Sequence, residues 1–98
     1  MRWRANLPRA QLGLAVASTG LRDYDRADRA FAETLRLSPE LAEAHLAWGS
    51  SLKERGRIDA AAEHFRAALA INPQLQAAQR ELWNLSSTRP TSAPARLP

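Results

Sequence analysis

Cysteine is absent from the 98-residue chain. That excludes a disulfide framework, a thiolate metal site and a cysteine nucleophile, and it fits any redox compartment. Lysine is almost absent: Lys53 stands alone, and every other basic residue is arginine, a pattern we attribute to codon bias. No apolar run approaches the ~20 residues that a membrane-spanning helix needs, so no span is expected. No Ser-His-Asp spacing, phosphate loop or pair of catalytic acids stands out. No catalytic site and no cofactor is therefore expected, and the chain reads as a non-enzyme. Histidine is scarce too. His45 and His64 are the two in the chain, and a metal site would need them close together with further ligands. The reading is two packed or solvated histidines and no metal.

Acidic residues are missing from both ends, where Arg2, Arg4, Arg9, Arg89 and Arg96 lie. The formal net charge of +4 comes from there, because the body holds nine basic against ten acidic residues. A nucleic-acid binder carries its positive charge on a folded face. This body is near neutral, so no nucleic-acid partner is expected. The start Met1-Arg2-Trp3-Arg4, with apolar Leu12 to Ala17 ending in Ala15-Val16-Ala17, has some likeness to a secretory signal. The apolar core is short, and Pro8, Arg9 and Gln11 sit against it. The repeat reading below accounts for the same residues better, and the expected location is cytoplasmic.

What is present is a repeat. Sliding the chain by 34 residues superposes Asp25 on Asp59, Ala27 on Ala61, Phe31 on Phe65, Leu35 on Leu69, Pro39 on Pro73, Leu41 on Leu75 and Ala44 on Ala78. A small residue, an aromatic four later and an aliphatic four after that share one face of a helix. Breakers then divide the chain. Pro8 opens a first helix, and Gly20 with Leu21-Arg22-Asp23 closes it. A second helix is expected from Tyr24 to Leu37. Ser38-Pro39 and Asn72-Pro73 read as capped, proline-opened helix starts, which gives helices from Pro39 to Arg55 and from Pro73 to Leu85. Gly56 stops the third helix, and a fourth spans Ile58 to Ile71. Ser86 to Pro94 has no apolar period, so residues 87–98 are expected to form a disordered tail and linker. Residues 1–7 are an N-terminal extension.

These residues resemble the tetratricopeptide repeat. That family has a Trp, then Leu-Gly, then an aromatic or aliphatic residue on its first helix, and Ala and Phe four apart on its second, closing at Pro. One copy here reads His45, Trp48-Gly49, Leu52, Gly56, Ala61, Phe65, Ala68 and Pro73. An earlier copy reads Arg9, Leu12-Gly13, Val16, Gly20, Ala27, Phe31 and Pro39. Arg9 and His45 replace the Trp, and the first copy needs a turn two residues longer. Leu82-Trp83 begins a third copy with Trp where Gly belongs. The resemblance covers about residues 8–85. It implies an all-α fold of antiparallel helix pairs: repeats over 8–39 and 40–73 and a capping helix over 73–85, within a domain of residues 8–86. Gly13 and Gly49 are expected at close helix contacts, with Phe31 and Phe65 filling the core.

In this family the first helices line a concave groove that takes a peptide or helix. The resemblance thus implies a scaffold for a protein or peptide partner. The groove stripe expected here is Ala10, Leu14 and Ala17, then Leu46, Ser50 and Lys53, then Arg80 and Asn84, apolar at one end and basic at the other. Part of the family clamps a carboxylate with Lys and Asn where this chain has Ala10 and Leu14, so no such clamp is expected. The alternative reading of the stripe is that Leu14 and Leu46 pack on neighbouring helices. Two repeats and a cap fall short of the ~3 repeats such arrays need. An accessory or oligomerisation domain of a larger enzyme or assembly is therefore the alternative function, and a homo-oligomer the alternative partner. Asp23, Asp25 and Asp28 cluster at the start of the second helix, where the helix dipole favours them. Asn84-Leu85-Ser86 is a formal glycosylation sequon at the end of an apolar helix, read as chance.

Overall fold

Asp23 starts the second helix as the sequence leads one to expect, its carboxylate accepting from the Arg26 backbone N–H at 3.4 Å. A computed structural model of the chain describes residues 7–88. It contains five α-helices and no strand among those residues: α1 (Leu7–Gly20), α2 (Tyr24–Leu37), α3 (Ala42–Glu54), α4 (Ile58–Ile71) and α5 (Gln76–Thr88). The tightest pairings are α1 with α2 and α3 with α4, and α5 closes on α4. The fold is thus two helical hairpins and a capping helix. Leu7 already belongs to α1, and α5 runs three residues past Leu85. The remainder of the expected tail, 89–98, and residues 1–6 lie outside the described residues.

Two helix starts differ from expectation. Pro39 and Pro73 do not open α3 and α5. They lie in turns closed by Leu41 N–H to Ser38 O and Leu75 N–H to Asn72 O, both 3.1 Å. Proline's fixed φ suits the second position of such a turn as well as the first turn of a helix. Asn72 Oδ1 accepts from Gln74 N–H at 3.2 Å within its own turn. Ser38 and Asn72 instead end α2 and α4, donating their N–H groups to Thr34 O and Ala68 O.

A larger correction concerns α1. The turns after α1 and α3 are the same structure, shifted by one constant interval. Arg57 N–H reaches Leu52 O at 2.9 Å and Gly56 N–H reaches Lys53 O at 3.0 Å. Asp23 N–H reaches Ser18 O and Arg22 N–H reaches Thr19 O, both at 2.9 Å. In each turn the residue between is left-handed, Gly56 at φ 81° and Arg22 at φ 63°. The first turn is therefore not longer. The 34-residue interval holds throughout, and the counterpart of Gly49 is Ala15, not Gly13. Ala15 is fully buried, and a Cβ on Gly13 would meet nothing within 4 Å. Leu12-Gly13 matches Trp48-Gly49 in letters but is displaced by two positions. Arg22 carries the left-handed conformation without glycine, at a cost of roughly 1–2 kcal/mol.

The core forms where small residues let helices close. Ala27, Ala44, Ala61, Ala68 and Ala78 are fully buried. Ala15, Ala27, Ala30 and Phe31 make one cluster, and Leu52, Ala61, Phe65 and Leu85 a second. Trp48 packs against both, stacked on Phe31 with ring centroids 5.6 Å apart. Phe65 sits on Gly49, where a Cβ would lie 2.7 Å from its Cε1. Burial of each phenylalanine contributes about 1.5–3 kcal/mol.

Candidate functional site

The constant interval decides which side chains of α1 stand beside those of α3. Leu46 and Ser50 on α3 have Leu12 and Val16 as counterparts, and Lys53 has Thr19. Val16, Thr19 and Gly20 indeed face Glu43, Leu46, Ala47, Ser50 and Glu54 across an open cleft of about 440 Å³ floored by Phe31. Val16 is 51% exposed although it is a large aliphatic residue. Thr19 Oγ1 lies 3.0 Å from Ala15 O and 3.1 Å from Ser51 Oγ, which ties α1 to α3 beneath the cleft.

Of the expected stripe, Leu46 and Ser50 line this cleft. Ala10 and Ala17 are exposed on α1. Leu14, 43% exposed, borders a shallow depression with Gln11, Arg26, Arg29 and Ala30, on the side of α1 that meets α2. It is the counterpart of Trp48 at the 34-residue interval. Lys53 is bound to Glu81 on α5 at 2.7 Å, so its charge is already answered. Arg80 and Asn84 are exposed on α5. Val16 and Thr19 were missed because the two-residue displacement carried the stripe round α1; Glu43, Ala47 and Glu54 flank the expected α3 positions.

Of the basic residues expected at the far end of the groove, Lys53 is paired and Arg80 is exposed on α5, outside this cleft. The rim of this cleft carries the carboxylates Glu43 and Glu54. Glu43 pairs with Arg9 at 2.9 Å, with both side chains more than half exposed, a contact that contributes little. Glu54 accepts from the Tyr24 hydroxyl at 3.4 Å.

Behind the cleft a polar knot joins α2 to α3. Asp28 accepts from Trp48 Nε1 at 3.0 Å and from the Arg55 guanidinium at 2.6 and 3.1 Å. Arg55 also lies 4.8 Å over the Tyr24 ring. Burial alone would raise the Asp28 pKa, but the bonds from Arg55 and Trp48 outweigh it and hold the carboxyl below its ordinary value. Asp28 is therefore committed to this knot and Asp23 to its cap. Beside the knot, His45 Nδ1 and His64 Nδ1 are 3.0 Å apart. Nothing in the sequence signalled that meeting. No group of three or more potential metal ligands occurs among the described residues, and no helix among them is long and apolar enough to cross a membrane.

Residues 42–75, from the start of α3 through the turn after α4, match the family model of the tetratricopeptide repeat. That segment is similar to the tetratricopeptide repeat. No curated protein and no solved structure matches the chain. Within the tetratricopeptide unit, Gly49, Leu52, Ala61, Phe65 and Ala68 are all buried. They make the two-helix contact; His45 and Trp48 both meet His64 of α4, and Trp48 also reaches Phe31 and Asp28 of α2. Tetratricopeptide repeats generally mediate protein–protein interaction and are typically non-catalytic scaffolds.

Proposed function

We propose that the protein is a docking scaffold whose α1–α3 cleft receives an apolar segment of a partner protein, with a basic residue beside it. One observation carries this reading: Val16 and Leu46 face each other across an open cleft, and nothing among the described residues covers it. Water over such a cleft is displaced favourably by an apolar side chain. Glu54 at the rim, bonded among the described residues only to the Tyr24 hydroxyl at 3.4 Å, favours a cation on the incoming chain. A helix or extended segment fits this kind of cleft.

The test pans a displayed random-peptide library against the full chain. Enriched peptides should combine apolar side chains with Arg or Lys. Leu46→Glu and Val16→Glu should each weaken the tightest peptide at least ~10-fold, as removal of a central anchor does. Leu14→Glu should leave it unchanged. Peptides that bind both cleft variants as well as wild type refute the proposal.

A second reading, association between copies, rests on Trp83, which is 71% exposed at the far end of the stack. It occupies the place of Gly49, so no further helix can approach α5 as α4 approaches α3. A two-fold contact through this ring is the closed outcome. Sedimentation that gives a dimer, abolished by Trp83→Glu, supports it; a monomer in both refutes it.

A further inference from the structure

His45 on α3 and His64 on α4 meet nitrogen to nitrogen, Nδ1 to Nδ1 at 3.0 Å, inside the two-helix unit 42–75. The ring centroids are 5.3 Å apart and the planes 31° from parallel. That separation is what two imidazoles give when their nitrogens face each other in line. Two rings converging on one metal ion would stand at an angle to each other, with the metal off the line between the nitrogens. The geometry is that of a hydrogen bond. Each neutral imidazole offers one donor and one acceptor, so one Nδ1–H donates to the other Nδ1. Trp48 stacks on His64 with centroids 4.4 Å apart and covers one face of the pair.

We propose that this contact is a pH-sensitive latch: one shared proton holds α3 to α4, and the loss of the accepting nitrogen parts them. The proton count is explicit. In the neutral pair, the donor ring carries its hydrogen on Nδ1 and has a free Nε2. A first added proton goes to that Nε2. It makes the donor an imidazolium and leaves the Nδ1–H···Nδ1 bond intact. A second added proton can go only to the accepting Nδ1. Two N–H groups then point at each other and two positive charges meet at contact distance, so the rings must separate.

The surroundings do not offset that second charge. From α2 Asp28 favours a proton on His64, but its carboxylate is already held by Arg55, the residue that caps the end of α3. Glu63 of α4 also favours a proton there. Burial opposes the charge on both rings, and His45 itself opposes it on His64. Both histidines are consequently held below the ordinary 6.5. The unfolded chain therefore takes up protons first as pH falls. The latch contributes its full stability above about 6.5, and that stability is lost as pH falls through the lowered values of the folded pair. Coupled sites of this kind titrate in separated steps that belong to the pair. Because α3 forms one wall of the cleft, the latch lies behind the surface proposed for docking without depending on that proposal.

The experiment follows the histidine ring nitrogens of the full chain by NMR from about pH 8 to about pH 4.5, with thermal melts at the same points. The expected result is two separated steps, both below about 6.5, and a melting temperature that falls by roughly 4–8 °C between about pH 7.5 and 5.5. His45→Gln removes one titrating ring. His64 should then titrate once, at a higher pH, and most of that fall should disappear. His64→Gln serves in the same way should His45→Gln fail to fold, and the wild-type ring titration decides independently of both. Added zinc chloride should leave the melts unchanged. Two independent steps near 6.5, or an equal melting loss in wild type and in either variant, would overturn the latch. A zinc-induced rise confined to wild type would overturn it in favour of a metal site.

Discussion

Gly13 and Gly49 occupy similar-looking positions in the sequence and unlike ones in the structure, which makes their alanine variants a sensitive pair. In both, replacing a helix-interior glycine gains about 1 kcal/mol of helix propensity. At Gly13 nothing lies within 4 Å of the new methyl, so Gly13→Ala should stabilise by about that amount. At Gly49 the methyl would lie 2.7, 2.9 and 3.0 Å from Cε1, Cδ1 and Cζ of Phe65. Carbon atoms prefer ~3.5–4.0 Å. Phe65 is fully buried and has no free space to retreat into, so overpacking should cost about 1–3 kcal/mol. The propensity gain is common to both variants and cancels in their difference, which is then about 1–3 kcal/mol. With about 4–8 °C per kcal/mol for a domain of this size, the two melting temperatures should differ by roughly 5–20 °C. Circular dichroism melts, with urea unfolding to check that the transition stays two-state, measure this directly. Equal melting temperatures would show that Phe65 does not rest on Gly49. A Gly13→Ala variant clearly less stable than wild type would show that Gly13 is packed, and that α1 is displaced by two residues after all.

Phe31→Ala and Phe65→Ala should each cost about 3–5 kcal/mol, a large part of a total near ~5 kcal/mol for so short an array; near-wild-type urea midpoints would misplace the core. Arg22→Gly relieves the left-handed arginine and should raise the melting temperature, a gain of up to ~1 kcal/mol after the entropy of glycine is counted; a loss would mean the Arg22 side chain contributes contacts the fold needs. Asp28→Asn weakens the bonds to Arg55 and Trp48 and should cost about 1–3 kcal/mol. The Asp28 pKa is lowered in the fold. Its contribution is therefore present above the ordinary value of about 3.8 and lost as pH falls below it, so Asp28→Asn should flatten the acid limb of the stability curve below pH ~4; an unchanged acid limb would show that Asp28 is not held by Arg55.

Phe31 and Phe65, each four residues after a buried alanine, made the second helices legible, because aromatic and small residues at that spacing have one use in a helical pair. Gly56 announced its turn, since a left-handed residue is most cheaply a glycine. The matching turn at Arg22 was illegible for the same reason: an arginine there carries no mark of the conformation it adopts. The register of α1 was lost with it. Leu12-Gly13 imitates Trp48-Gly49, while Ala15, the residue that does the work of Gly49, is one alanine among several. That displacement moved the expected cleft residues on α1 to Ala10, Leu14 and Ala17, when the interval points to Val16 and Thr19. On α3 Leu46 and Ser50 line the cleft. Lys53 could be placed but its pairing with Glu81 could not, because the reach from α3 to α5 depends on how the hairpins stack. The meeting of His45 and His64 depends on the rotation of two helices about their axes, which the sequence constrains only through the packing of Phe65 on Gly49.

Docking in the α1–α3 cleft is tested most directly by mapping the tightest panned peptide onto the full chain through amide and methyl chemical shifts. The account predicts the largest changes at Val16, Thr19, Leu46, Ala47 and Ser50, with Leu14 and Trp83 unmoved. Changes centred on Leu14 or Trp83, with the cleft undisturbed, would contradict it.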